Sequence, residues 1–133
     1  MNEQLLAIGM FVFGLPRIGF DELSRSAAWR YGDSDRFGAR AASQFLGPGA
    51  ETITISGVLV PEIAGSYSDI DRLREMAATG EAWPLVRGTG EVLGDFRIDK
   101  VDDRWRHIVE GGLPRMVDFA VDLTRVDDAA ELR

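Results

Sequence analysis

Hydrophobic positions recur along this chain with a period of two far more often than with a helical period. From Thr52 onward Ile53, Ile55 and Leu59 fall on one side, and Thr52, Thr54 and Ser56 on the other, until Pro61 ends the pattern. Near the C-terminus Val117, Phe119, Val121 and Leu123 alternate with Asp118, Asp122 and Thr124, which predicts a strand with one face in a core and the other against water or a partner. Leu5 to Phe13 is continuously apolar and is followed by Gly14 and Pro16, as expected of a core strand. Asp21 to Tyr31 predicts a second, more polar strand, and the turn-forming residues Gly32 to Gly38 predict a loop.

Further strands are expected over Trp83–Val86, Val92–Val101 and Trp105–Val109, with breaks at Gly88-Thr89-Gly90 and at Asp102-Asp103. One segment departs from this rhythm. Ser68 as N-cap, Asp71 at N3, apolar Ile70, Leu73 and Ala77 at helical spacing, and Gly80 past the end predict a helix. Strands in runs with one inserted helix indicate an α+β domain. The expected architecture is a mainly antiparallel β sandwich or partly closed barrel with one flanking helix, as a single domain over residues 1–133. Six or seven strands leave sheet edges that must be blunted or paired, so pairing between subunits is physically reasonable.

Composition narrows the chemistry. A hydrophobic share of 45% and a charged share of 28% are those of an ordinary folded domain. There is no cysteine, so neither disulfides nor thiolate metal sites exist. Glu3 stands where a signal peptide would carry positive charge, and the apolar run behind it is too short to span a bilayer, so synthesis in the cytoplasm and no membrane partner are expected. The net charge of −7 opposes the basic surface that sequence-specific nucleic-acid binding requires. Of fifteen basic residues only Lys100 is lysine, and arginine is the better residue for planar, partly desolvated protein contacts.

Catalytic and metal motifs fail on inspection. His107 is the sole histidine, and no serine sits in a nucleophile elbow. Asp33-Ser34-Asp35 opens like a calcium loop, but Phe37 occupies the fifth position and Gln44 the closing one. Gly88-Thr89-Gly90 with Gly94 has the wrong spacing for a dinucleotide fingerprint and reads as a hairpin turn. No catalytic residue, metal or cofactor is therefore expected. Two surface features stand out instead. The stretch Gly32–Gly49 mixes Arg36 and Arg40 with Phe37 and Phe45, the residue types of interface anchors. Asp118 and Asp122 are candidates for an acidic face lining a channel, and Trp83, held before Pro84, is either a core anchor or an intersubunit contact.

Taken in order, several segments resemble the phage tail protein U (GpU) family. They are Leu6-Ala7-Ile8-Gly9-Met10-Phe11-Val12-Phe13, Arg36-Phe37-Gly38 with Gln44-Phe45-Leu46-Gly47, Ile53 through Gly57-Val58-Leu59 to Pro61-Glu62, and Gly88-Thr89-Gly90. Leu73-Arg74-Glu75-Met76-Ala77, Gly80-Glu81-Ala82-Trp83-Pro84-Leu85, Asp118-Phe119 and Leu123-Thr124-Arg125-Val126-Asp127 continue the likeness, which is poor between Gly14 and Trp29. The resemblance implies a tail-tube-like fold and a non-enzymatic subunit of a contractile phage-type tail, assembled in the host cytoplasm into the virion or a phage-tail-like particle. It further implies a homo-hexameric ring at a tube end, next to tail tube, tape-measure and baseplate-hub proteins. The baseplate end is the expected position, and the head-proximal terminator is the alternative. A small β-barrel binding an apolar ligand is the reading outside this family.

Overall fold

The apolar run at the N-terminus, expected as one strand, folds back on itself. In the computed structural model, which describes residues 3–15, 18–61 and 67–126, it forms β1 (Glu3–Ile8) and β2 (Phe11–Leu15), antiparallel across the two-residue turn Gly9-Met10. Gly9 has φ 57, the positive value at the first turn position that matches the right-handed twist of the flanking strands. A Cβ there would lie 2.8 Å from Cε3 of Trp83, and the Gly9 N–H donates to the Pro84 carbonyl at 2.9 Å. Only glycine fits both demands.

The remaining elements are β3 (Glu22–Arg36), β4 (Ala39–Leu59), α1 (Tyr67–Ala78), β5 (Ala82–Arg87), β6 (Val92–Ile108), a turn of 3-10 helix (Glu110–Gly112) and β7 (Pro114–Val126). The strands form one sheet in the order β2-β1-β5-β6-β7-β4-β3, with every neighbouring pair antiparallel. The two outermost strands, β2 and β3, follow one another in the chain. Only residues 16–21 separate them, a reach of ~25 Å when fully extended. That short connection requires the sheet to curl. Ile18 is buried, and the Phe20 ring meets Phe13 edge-on at 5.8 Å. Of the two architectures expected, the partly closed one is found: a curled half-barrel sheet with one helix.

The period-two pattern decides what lies inside. Ile53, Ile55 and Leu59 from β4, with Val117, Phe119, Val121 and Leu123 from β7, line the inner face. Leu6, Ile8, Phe11 and Phe13 meet them from the N-terminal hairpin, while Phe96 and Ile98 come from β6 and Leu85 from β5. The helix lies along β6 and contributes Ile70 and Leu73 to the same core. At roughly 1.5–3 kcal/mol for each fully buried large apolar side chain, this shared core is the main source of stability. Gly57, in register with Phe119, sits where a side chain would strike the Phe20 backbone, its Cβ reaching 2.9 Å from Phe20 Cα.

Three further expectations about individual elements change. Ser68 lies within the first turn of α1, because the helix begins at Tyr67, so it is not the N-cap. Gly80 does follow the helix in the left-handed conformation, φ 72. The strands expected over Val92–Val101 and Trp105–Val109 are one, since Asp103 is held in place by Arg74 from the helix and by the Trp105 Nε1–H at 2.6 Å. The loop expected over Gly32–Gly38 is the end of a β hairpin, as described below. The expected turn at Gly88-Thr89-Gly90 is present, closed by Gly90 N–H to the Arg87 carbonyl at 2.8 Å. Among the described residues, no helix is long and apolar enough to cross a membrane.

Candidate assembly surfaces

β3 and β4 are far longer than the sheet that holds them. β4 pairs with β7 only from Thr52 to Leu59, whereas β3 and β4 remain paired from Glu22↔Ser56 out to Arg36↔Ala39. The segment from Ala27 to Glu51 is thus a two-stranded ribbon standing clear of the core, and at ~3.4 Å per residue it reaches about 40 Å. Register shifts between Ala27 and Trp29, Arg30 and Tyr31, and Ser34 and Arg36 raise its twist, and Pro48 opposite Trp29 removes a backbone donor. Such features discourage indiscriminate pairing along a free edge.

Aromatic and aliphatic side chains decorate this arm without a core to cover them. Trp29, Tyr31, Phe45 and Leu46 are all more than half exposed, and Phe37 at the tip is fully so. Tyr31 and Phe45, directly opposite in register, meet edge-on at 5.5 Å, while Leu46 points the other way and lies over Gly32. Arg40 is exposed beside the tip, and Arg36 is the last residue of β3. The structure therefore brings Arg36, Phe37, Arg40 and Phe45 together on one projecting element. Trp29, Tyr31 and Leu46 belong with them and were missed in the sequence, although Trp29 and Tyr31 at spacing two were a signal. Asp33, suspected of opening a calcium loop, accepts a cross-strand hydrogen bond from Ser43 Oγ at 2.8 Å. At the base of the arm an open groove of about 410 Å³ is lined by Trp29, Arg30, Pro48 and Glu51, with Arg125 facing Glu51 at 3.4 Å.

Trp83 lies elsewhere. It is half-buried at the margin of the core, its ring over Gly9, and its Nε1–H is buried with no acceptor among the described residues.

The second surface is the outward face of the sheet. Asp118 and Asp122 project from β7, and register places Thr54, Ser56 and Val58 of β4 and Lys100, Asp102 and Arg104 of β6 on the same side. Arg106 pairs with Asp118: its Nη2–H donates to Oδ1 at 2.9 Å, and Nε lies 2.8 Å from Oδ2 without the alignment of a hydrogen bond. Asp122 accepts from Thr54 Oγ1 at 2.9 Å, and Asp99 accepts from Thr124 Oγ1. The surface is hydroxyl-rich and carries both signs of charge. The negative charge of Asp118 is offset locally by Arg106.

His107 stands exposed near the end of β6 with φ 56, the one described non-glycine residue in that region. Among the described residues, no group of three His, Cys, Asp or Glu side chains is placed to hold a metal ion. What the arrangement offers is contact area, hydrogen-bonding groups and free strand edges.

Known proteins share this shape. A chain in the virion of a native gene transfer agent particle superposes with a TM-score of 0.60 at 15% identity, covering 95% of this chain and 92% of that one. A chain from the tail of an empty gene transfer agent particle, refined with C6 symmetry, gives 0.61 at 15% identity and the same coverage. The tube-terminating cap of the anti-feeding prophage gives 0.50 at 11% identity over 94% of this chain and 86% of that one. At these identities the likeness shows the fold alone. In sequence, a probable tape measure protein of Halomonas phage phiHAP-1 is 29% identical over 132 residues, 98% of this chain, and the chain spans about 15% of that relative's length. A profile of the Phage P2 GpU family matches residues 9–128, most of the chain, which therefore belongs to that family of phage tail proteins.

Proposed function

We propose that the protein is a non-enzymatic structural subunit of a contractile phage-type tail and acts in tail assembly as a six-membered ring at an end of the tube. The family match over residues 9–128 carries this reading. The curled sheet with a projecting hairpin supports it, because a closed ring needs two different patches on each subunit, and a long arm separates one patch from the body. The fold shared with a C6-symmetric tail suggests the number six. In such a ring the hydroxyl-rich sheet face bearing Asp118 and Asp122 would line the channel, and the arm with Phe37, Arg40 and Phe45 would reach a neighbour.

The baseplate end, beside the hub, is the position we favour. A relative that is a probable tape measure protein suggests a place next to the tape measure. The head-proximal terminator position is the second reading, favoured by the likeness to a tube-terminating cap. The ligand-binding barrel is the less supported reading, since the apolar strand faces pack on each other and on α1.

Light scattering on a sizing column tests the proposal, with the protein alone and then mixed with the tube, tape-measure and hub proteins of its own genome. A six-fold mass in any sample supports the ring. A monomer that ignores every partner overturns it. Arg40→Glu should weaken assembly and leave the fold intact, and unchanged assembly would remove the arm from the interface.

A further inference from the structure

The arm ends in a fully exposed aromatic side chain, and at the opposite end of the sheet the described residues form an apolar slot. The slot, about 250 Å³, lies between the first turn of α1 and the far end of the β6–β7 hairpin. Tyr67, Trp105, Leu113 and Val117 supply its walls, and Asp71 and Asp103 its rim. Trp105 is in register with the buried Val117, so it lies on the core side of the sheet, yet beyond the cover of the helix it remains 54% exposed, as does Leu113. Ile108 and Val109 extend the apolar surface past the slot.

The polar groups around the slot are already satisfied. Tyr67 donates its hydroxyl to the Pro114 carbonyl, and Asp103 takes both Arg74 and the Trp105 indole. What remains open is apolar wall with exposed Asp71 at the rim, a site for a large apolar side chain accompanied by positive charge.

We propose that this slot receives Phe37 from the arm of a second copy of the chain, with Arg40 of the arm beside Asp71 at the rim. Three observations select this occupant. Phe37 is fully exposed at the tip of a ribbon long enough to deliver it. The slot's volume of about 250 Å³ and its walls of Tyr67, Trp105 and Leu113 suit an aromatic side chain. The register also fixes direction: β4 leaves the sheet past Thr52↔Thr124, whereas the slot lies beyond Leu59↔Val117, so tip and slot point away from each other. A chain therefore cannot fill its own slot. The contact is head-to-tail, the heterologous kind that closes into a ring or continues as a stack. This inference rests on the self-assembly proposed above and adds which surfaces meet.

The absence of cysteine makes a direct test clean. Phe37→Cys and Leu113→Cys, both at exposed positions, are prepared separately, mixed, oxidised and run on a non-reducing gel beside a mass measurement of the same sample. The mixture should give a disulfide-linked dimer, and Phe37→Cys mixed with Ala120→Cys on the outward sheet face should not. In parallel, Asp71→Arg should cut the assembled fraction several-fold and Arg40→Asp in the same chain should restore it. A ring mass without the Phe37–Leu113 cross-link overturns the slot contact and leaves the ring standing. A monomeric mass without the cross-link, both alone and with the tube, tape-measure and hub proteins added, overturns both.

Discussion

Replacing Gly57 by alanine adds one methyl group at the point where the segment between β2 and β3 crosses the sheet. The new Cβ would lie 2.9 Å from Phe20 Cα, 3.1 Å from Phe119 Cζ and 3.2 Å from Asp21 N. Unstrained carbon–carbon contacts lie near 3.5–4.0 Å, so the backbone at Phe20 and Asp21 has to retreat by about 0.6–1 Å. Two attachments resist the retreat. The Asp21 N–H donates to the Ser56 carbonyl at 2.9 Å, and the Phe20 ring packs on Phe13. Overpacking of this kind costs about 1–3 kcal/mol and a weakened hydrogen bond up to ~1 more. Alanine regains about 0.5–1 kcal/mol over glycine within a strand, leaving a net loss of about 0.5–3 kcal/mol. Urea unfolding followed by tryptophan fluorescence measures it, with a lower midpoint and an unchanged slope expected. A midpoint equal to or above that of the parent protein would refute the close approach.

Gly9→Ala should destabilise by about 2–4 kcal/mol, combining the left-handed backbone with the clash against Trp83, whereas Gly38→Ala, at φ 72 with no atom within 4 Å of its Cβ, should lose only about 1; urea midpoints of the two variants separate strain from contact. His107→Val should lose about 1–2 kcal/mol because a β-branched residue is poorly suited to φ 56, while His107→Gly should unfold at nearly the parent temperature in a thermal melt. Asp118→Asn should cost under ~1 kcal/mol, since both it and Arg106 remain more than a third exposed, and the difference should shrink as salt is added.

The elements that read clearly from the sequence are those whose pattern is set by one buried face. The alternation around Val117–Leu123 and Ile53–Leu59 and the helical spacing of Ile70, Leu73 and Ala77 each reappear as the core side of β7, β4 and α1. Where residues answer to a different constraint, the pattern misleads. Leu5 to Phe13 reads as one strand because both halves of its hairpin contribute buried residues, Leu6 to Ile8 and then Phe11 and Phe13, so only the conformation of Gly9 marks the fold-back. Asp102-Asp103 has the composition of a turn, yet Arg74 and Trp105 neutralise and bind Asp103 within a continuous strand. Among its described residues the arm has no buried face, so beyond Trp29 and Tyr31 no alternation announces it, and its polar and turn-forming residues look like a loop. Its aromatic and arginine content did mark it as a contact surface, but the pairing of Tyr31 with Phe45 depends on register shifts that no local rule supplies.

The way β4 runs from the arm into the body also determines how the molecule bears force. Ladder hydrogen bonds lie perpendicular to the strands, so a pull along the arm axis does not peel β4 from β7 one bond at a time. It strains the whole ladder from Thr52↔Thr124 to Leu59↔Val117 together, in shear. The tip can swing with the twist of a two-stranded ribbon, while the root is anchored by the inward-facing Ile53, Ile55 and Leu59, all buried in the core. Tension applied at the tip is thus transmitted to the strand that is best fixed in the domain.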